Sequence, residues 1–315
     1  MRVIEEMPTV NPYNDKTDGR IIGWISGGVA SAVACKLTID HYGADRVVLA
    51  FCDTSWEHPD TERFLTDLEN YFDKPIVRLK SERFNNPEEV MRKYIGINFA
   101  HGAPCSMVLK KEVRIKYQEL DTDFAQVFGF DFDKKEMKRA TNMLMNNPDL
   151  NPIFPLINSR LDRRAIFYEL KKMGIKEPEP YKHFLNNNCI GTTDKDSDEY
   201  KNSTGGLGCI QGGIGYWQKI KVMFSKKYDA MSKLENEITL AKYEKLKAKG
   251  ELDKFKPVTI CKNQQKGFEG ERLFLKHNPR FPDVRTIDII KGKQPITAFE
   301  CNGFCSTIQG DFLNE

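Results

Sequence analysis

Short apolar runs alternate along the chain with stretches whose apolar residues recur every three or four positions. Residues 20–26, RIIGWIS, have the nearly continuous, β-branched apolar character of a strand buried on both faces. Gly27 and Gly28 end that run, and Ala30, Val33, Ala34, Leu37 and Thr38 then recur at helical spacing until Gly43 stops them. The plan repeats: residues 46–52, RVVLAFC, predict a second strand, residues 53–60 a loop with Pro59 near a helix start, and residues 61–72 an amphipathic helix. Residues 75–80 read as a third strand, followed by helices over 87–94 and 105–117. A fourth strand, FAQVFGF at 124–130, precedes a charged helix over 134–145. NPIFPLI at 151–157 predicts a fifth strand that its prolines confine to an edge or a strand end, and a helix over 161–173 ends at Gly174. Such alternation predicts an α/β fold, a doubly wound parallel sheet with helices on both faces and a ligand at the carboxyl ends of the strands.

Beyond Lys176 the pattern changes. Residues 191–208 are rich in Thr, Asp, Ser and Gly, which predicts an exposed insertion or flexible loop. Trp217, Ile220, Phe224, Met231, Leu234 and Ile238 then recur at helical spacing, predicting one helix over 216–249. The remainder, 251–315, holds short apolar clusters and three cysteines and follows no recognisable element pattern.

Charge narrows the function little: 48 Lys and Arg nearly balance 45 Asp and Glu, so bulk charge announces neither nucleic acid nor membrane. The first twenty residues lack the basic start and apolar run of a signal peptide, and no stretch reaches the ~18 apolar residues of a spanning helix. A soluble, cytoplasmic protein is expected. In that setting the eight cysteines point to thiols, metal ligands or redox chemistry rather than a disulfide scaffold.

The junction W-I-S-G-G-V-A-S places Ser26, Gly27, Gly28 and Ser31 between a buried strand and a helix. Glycines there let backbone approach a ligand, and helix-start amides with serine hydroxyls can bond phosphate or sulfate oxygens; a ligand-free tight turn is the alternative. SGGVAS resembles the SGGxDS pyrophosphate loop of the N-type ATP pyrophosphatases and the related loop of the phosphoadenosine phosphosulfate (PAPS) reductase family. FCDTSWEHPDTERFL is similar to that family's second strand with its Asp-Thr turn. PCSMVLKKE resembles its Cys-containing block with a downstream Lys, and FGFDFDKKEMKR its next strand-loop-helix. NPIFPLI and CIQGGIGYWQKI extend the likeness, which spans residues 20–231 and includes unclassified bacterial and phage members.

The resemblance implies a PP-loop nucleotide-binding domain over 20–190, after an irregular segment at 1–19. A glycine/cysteine loop and long helix at 191–250 and a C-terminal extension at 251–315 would follow. It also implies an adenine nucleotide (ATP, APS or PAPS) held by Ser26, Gly27, Gly28, Ser31, Asp53, Thr54, Lys110 and Gly129. Independently of the likeness, Asp53 and Thr54 end the second strand, where doubly wound folds place sugar or base contacts; their plainer role is a helix cap. Ala30 stands where the pyrophosphatases carry an Asp that helps manage magnesium and pyrophosphate, and Val29 where Lys is common. That departure argues against cleavage of ATP between its α and β phosphates, and leaves magnesium a weaker expectation than the nucleotide.

Cys105, Cys189 and Cys209 fall in loops of the same edge and are candidate ligands of an iron–sulfur cluster or zinc, although Cys189 and Cys209 form no close CxxC pair. Cys105 and Cys301 are the candidate catalytic thiols. The segment F-E-C-N-G-F-C, with Cys301 and Cys305, shares Glu-Cys with the family's catalytic motif but not the rest. Cys35 and Cys52 sit in apolar patterns and are expected in the core. His58 follows the Asp53 turn as a surface loop residue or a site residue. The readings that follow are sulfonucleotide reduction or sulfur transfer, served by a thiol reductant protein; ATP-dependent modification of tRNA or DNA; or nucleotide binding without catalysis.

Overall fold

The computed structural model describes residues 18–99, 102–119, 123–147, 150–184, 187 and 189–291. Five strands form one sheet: β1 (Arg20–Ile25), β2 (Val47–Cys52), β3 (Ile76–Leu79), β4 (Phe124–Val127) and β5 (Pro152–Ile153). Their order is β3-β2-β1-β4-β5, and every pairing is parallel. The chain therefore builds outward from β1 to β3, then crosses back to lay β4 on the other side of β1. The gap between β1 and β4 is the switch point where such sheets receive ligands. Pro152 sits in the edge strand, as a residue without an amide proton must.

The helices are α1 (Val29–Tyr42), α2 (Asp60–Phe72), α3 (Pro87–Tyr94), α4 (104–118), α5 (Lys134–Asn146) and α6 (Arg163–Lys172). They explain why the strands read as unbroken apolar runs: both faces are covered. Ile21 and Ile25 point into a core with Val33, Leu49, Phe64, Leu68, Val127 and Leu170. Ile22 and Trp24, one residue out of phase, point into a second core with Ala50, Phe128, Met137 and Phe154. Within α4, residues Met107–Lys111 form a π turn, which widens the helix and buries the adjacent Lys110 and Lys111 together.

Instead of one helix over 216–249, two are present, α7 (Ile214–Met223) and α8 (Ser225–Ala248), because Phe224 leaves helical backbone (φ −134°, ψ 60°) to bury its ring. Trp217, Ile220, Phe224, Tyr228, Met231, Leu234 and Ile238 make a third core with Ile260, Leu273, Leu275 and Ile287, and with Trp56, Met91 and Ile97 of the sheet region. The part of the tail that follows wraps α8 and holds one small antiparallel pair, β6 (Cys261–Lys262) and β7 (Arg272–Leu273). Glu235 of α8 organises this wrapping: its carboxylate, fully buried, accepts the amides of Ile260 at 2.9 Å and Leu275 at 2.8 Å. Thr239, one turn on, bonds both the carbonyl and the amide of Val258. Among the described residues no helix is long and apolar enough to cross a membrane.

Residues 191–208 differ from the flexible insertion expected. The Gly191 amide donates to the Trp56 carbonyl at 2.9 Å, the Thr192 amide to Glu199, and the Gly208 amide to the Cys189 carbonyl. Lys227, wholly buried in α8, donates to the Gly206 carbonyl at 2.7 Å, and Tyr200 and Leu207 enter the third core. Polar composition marked these residues as solvated, whereas their glycines allow close backbone packing.

Burial pushes the Glu235 carboxyl up to about 8, with the Ile260 and Leu275 amides opposing the shift. The folded protein therefore holds a proton that the unfolded chain releases above the ordinary carboxylate range. Stability is expected to fall as pH rises from about 5 to about 8 and then to level off for this group. Denaturant titrations of the wild type and Glu235→Gln across that window check it, the variant showing the flatter profile. Glu235→Ala, which strands two buried amides, should cost roughly 1–3 kcal/mol at pH 5.

Candidate nucleotide-binding site

β1 ends at Ile25, and the chain turns through Ser26, Gly27 and Gly28 into the first turn of α1 at the carboxyl rim of the sheet. Gly27 has φ +77°, and a Cβ there would lie 2.8 Å from Thr61 Cγ2, so both conformation and space require glycine. The hydroxyls fasten the turn from within. Ser31 Oγ donates to the Gly28 carbonyl at 2.9 Å and accepts the Ser26 amide at 3.0 Å. With that proton committed, the 2.9 Å contact between the two hydroxyls has Ser26 as donor. Asn187 Nδ2 donates to the Gly27 carbonyl at 2.8 Å, and the Val29 amide donates to the Tyr181 hydroxyl at 3.1 Å. Among the described residues the amides of Gly27, Ala30 and Ser31 donate to no protein acceptor.

Gly129, where the chain leaves β4, lies against this turn. A Cβ there would stand 2.6 Å from the Ser31 amide nitrogen and 2.7 Å from Ser31 Cα. Its place is thus beside the amides expected to meet the ligand, with its own contact being to backbone.

The β2 exit forms the second wall. Asp53 Oδ1 accepts the Ser55 amide at 2.7 Å in an Asx turn, and its other oxygen pairs with Lys80 at 2.8 Å. Burial raises the Asp53 carboxyl, but Lys80 and the Ser55 amide outweigh it and hold the group below its ordinary value. Thr54 is 2% exposed and spends both donors on Glu57, its amide at 3.0 Å and its hydroxyl at 2.8 Å. The Trp56 amide also reaches Glu57, at 3.2 Å. Lys110, expected at phosphate oxygens, points its ammonium to Glu57 Oε1 at 3.8 Å. Glu57 thus organises this wall, and the sequence reading missed it; its one legible trace is a second acid four residues after Asp53. Tyr181 and Asn187 were also missed, since both arrive from more than 120 residues away.

His58 is buried, not a surface residue. Its Nδ1 accepts the Asp60 amide at 3.1 Å, so Nε2 carries the proton and donates to Thr193 Oγ1 at 2.9 Å. Burial lowers its pKa and keeps the ring neutral near pH 7, although Asp60 and Glu179 pull the other way.

Cys189 and Cys209 come together around Tyr216. The Cys209 amide donates to the Tyr216 hydroxyl at 3.1 Å, and the Gly208 amide bonds the Cys189 carbonyl. Cys189 Sγ lies 3.9 Å from Thr54 Oγ1. Cys105 opens α4 and packs on the same core. Around Cys105, Cys189 and Cys209, the candidate metal ligands, no group of three or more His, Cys, Asp or Glu that could hold a metal ion is found among the described residues. Cys301 and Cys305 lie outside the described residues. Cys35 and Cys52 are core thiols, and burial pushes the Cys35 thiol far up.

No family model matches the chain, and no curated protein does. Among solved structures it is similar to a phosphoadenylyl-sulfate (PAPS) reductase from Candida auris in a phosphate complex. That match has 14% identity and a TM-score of 0.38, and covers 57% of this chain and 87% of that one.

Gly129→Ala is expected to displace the first turn of α1, because the obstructing atoms are backbone. A cost of roughly 1–3 kcal/mol follows, with a lowered melting temperature by calorimetry. An unchanged melting temperature would show that the contact yields.

Proposed function

We propose that this chain binds the phosphate or sulfate of an adenine nucleotide at the first turn of α1, as a PAPS reductase-like PP-loop protein working on sulfonucleotides. The observation that carries the reading is the set of amides at Gly27, Ala30 and Ser31, which start a 14-residue helix at the β1/β4 switch point and meet no protein acceptor among the described residues. Amides so placed, with the helix dipole behind them, suit an oxyanion. Ser26 and Ser31 shape the turn, Gly129 lets β4 pass close enough to complete the cradle, and the Asp53 turn lies at the end of β2, where a sugar or base would be met.

Ala30 favours a sulfonucleotide over ATP cleavage. A carboxylate at that position would be the natural magnesium ligand for a leaving pyrophosphate, and alanine offers none. Reduction or transfer of the bound sulfur group needs a thiol instead, and Cys189 stands beside Thr54 at the same rim.

Calorimetric titration with PAPS, APS and ATP tests the reading. Saturable binding is expected, tighter for PAPS or APS than for ATP. Ser31→Ala, which unfastens the turn, should weaken it about tenfold, or ~1.4 kcal/mol. Absence of saturable binding by all three nucleotides would overturn it.

A further inference from the structure

Where α8 meets the tail, cations from four segments gather. Glu235, Thr239 and Lys242 recur along one side of the helix at i, i+4 and i+7. The first two are spent on the backbone of Ile260, Leu275 and Val258. Lys242, the next turn on, meets charge of its own sign: that of Arg272 in β7 and of Lys256, two residues before Val258. Across the small sheet Arg272 stands directly opposite Lys262 of β6, while the neighbouring pair, Cys261 and Leu273, is buried in the third core. Successive strand residues alternate faces, so Lys262 and Arg272 share the side turned away from that core.

Folding gains nothing from this arrangement. Like charges directly opposed on an antiparallel pair destabilise it, and among the described residues none of Lys242, Lys256, Lys262 and Arg272 forms an ion pair. The half-buried Arg272 guanidinium donates no hydrogen bond to them either. Glu271, beside it in the chain, is taken by Arg285 at 2.7 Å and by Asn263 at 2.9 Å. Burial lowers the Lys242 ammonium, and the charges of Arg272 and Lys256 add to the shift. The same hairpin carries an exposed aromatic ring, Phe268, with Arg285 over it at 5.0 Å from the centroid.

We propose that this surface binds single-stranded nucleic acid, with Lys242, Lys256, Lys262 and Arg272 taking backbone phosphates and the Phe268 ring stacking on a base. Separate cations complement a chain of separate phosphates, and the arginine fork suits phosphate oxygens. An aromatic face beside such cations is what holds an unpaired base whatever its sequence. Since balanced bulk charge gives no general attraction for polyanions, binding rests on this local patch. None of these residues belongs to the turn of α1, so the outcome is independent of the function proposed above.

The test is fluorescence anisotropy of a labelled oligothymidylate of about 20 nucleotides, longer than a typical single-strand site, titrated with the full chain. Saturable binding is expected at low salt, weakening as salt rises. Lys242→Gln combined with Lys256→Gln should weaken it about tenfold and flatten the slope of log affinity against log salt by about 1.4, two contacts at ~0.7 each. Arg272→Gln should also weaken binding about tenfold, and Phe268→Ala should do so without changing the slope. A control on α6, Lys171→Gln with Lys172→Gln, should bind as the wild type does. By calorimetry the Lys242 and Lys256 double variant should melt no lower than wild type, because it removes repulsion. Absence of saturable binding, wild-type affinity in the patch variants, or an equal loss in the α6 control would each overturn the proposal. So would equally tight binding of polyglutamate or of phosphatidylserine vesicles, or a lowered melting temperature in the double variant. Should Arg272→Gln not fold, the lysine pair and Phe268→Ala decide.

Discussion

The close passage of β4 over the first turn of α1 governs the carboxyl rim. Where Gly129 meets Ser31, backbone lies against backbone with no room for a methyl group. That contact brings the two strands flanking the switch point to one helix start. Beside it the Ser26 and Ser31 hydroxyls bond each other and the turn's own carbonyl and amide. A turn fastened in this way needs little reorganisation to present its amides, and preorganisation of that kind lowers the entropic cost of binding.

Behind the rim, the C-terminal helices act as a brace. Trp56, in the middle of the β2 turn, buries its ring in the third core while its carbonyl receives the Gly191 amide. The loop 191–208 is in turn held to α8 by Lys227 and Gly206, and α8 gathers the tail through Glu235 and Thr239. Burial lowers the Lys227 ammonium to about 8, with Glu199 opposing, a sign of how dry this brace is. The exposed Arg92–Glu237 pair joining α3 to α8 adds little by comparison. Geometry at Asp53, Thr54 and Glu57 thus depends on residues more than 130 positions later.

The sheet was legible because strands covered on both faces must be apolar at every position, and RIIGWIS and RVVLAFC have that character wherever they are read. The turn between β1 and α1 was legible because two glycines directly after a buried apolar run mark a strand-to-helix junction. Composition misled where the determining contacts are distant. Polar residues at 191–208 looked solvated but are tied to Trp56 and Lys227, and Phe224 breaks a helical pattern that its own periodicity supported. Glu57 was hidden for the same reason: a glutamate in a charged loop gives no sign that three donors will converge on it.

Nuclear magnetic resonance of the amide groups on addition of PAPS tests the central claim most directly. If the first turn of α1 cradles the anion, the resonances of Gly27, Ala30 and Ser31 shift saturably and with one common affinity, while those of the outer face of α8 stay in place. Shifts confined to other surfaces, with these three amides unmoved at saturating ligand, would contradict the account.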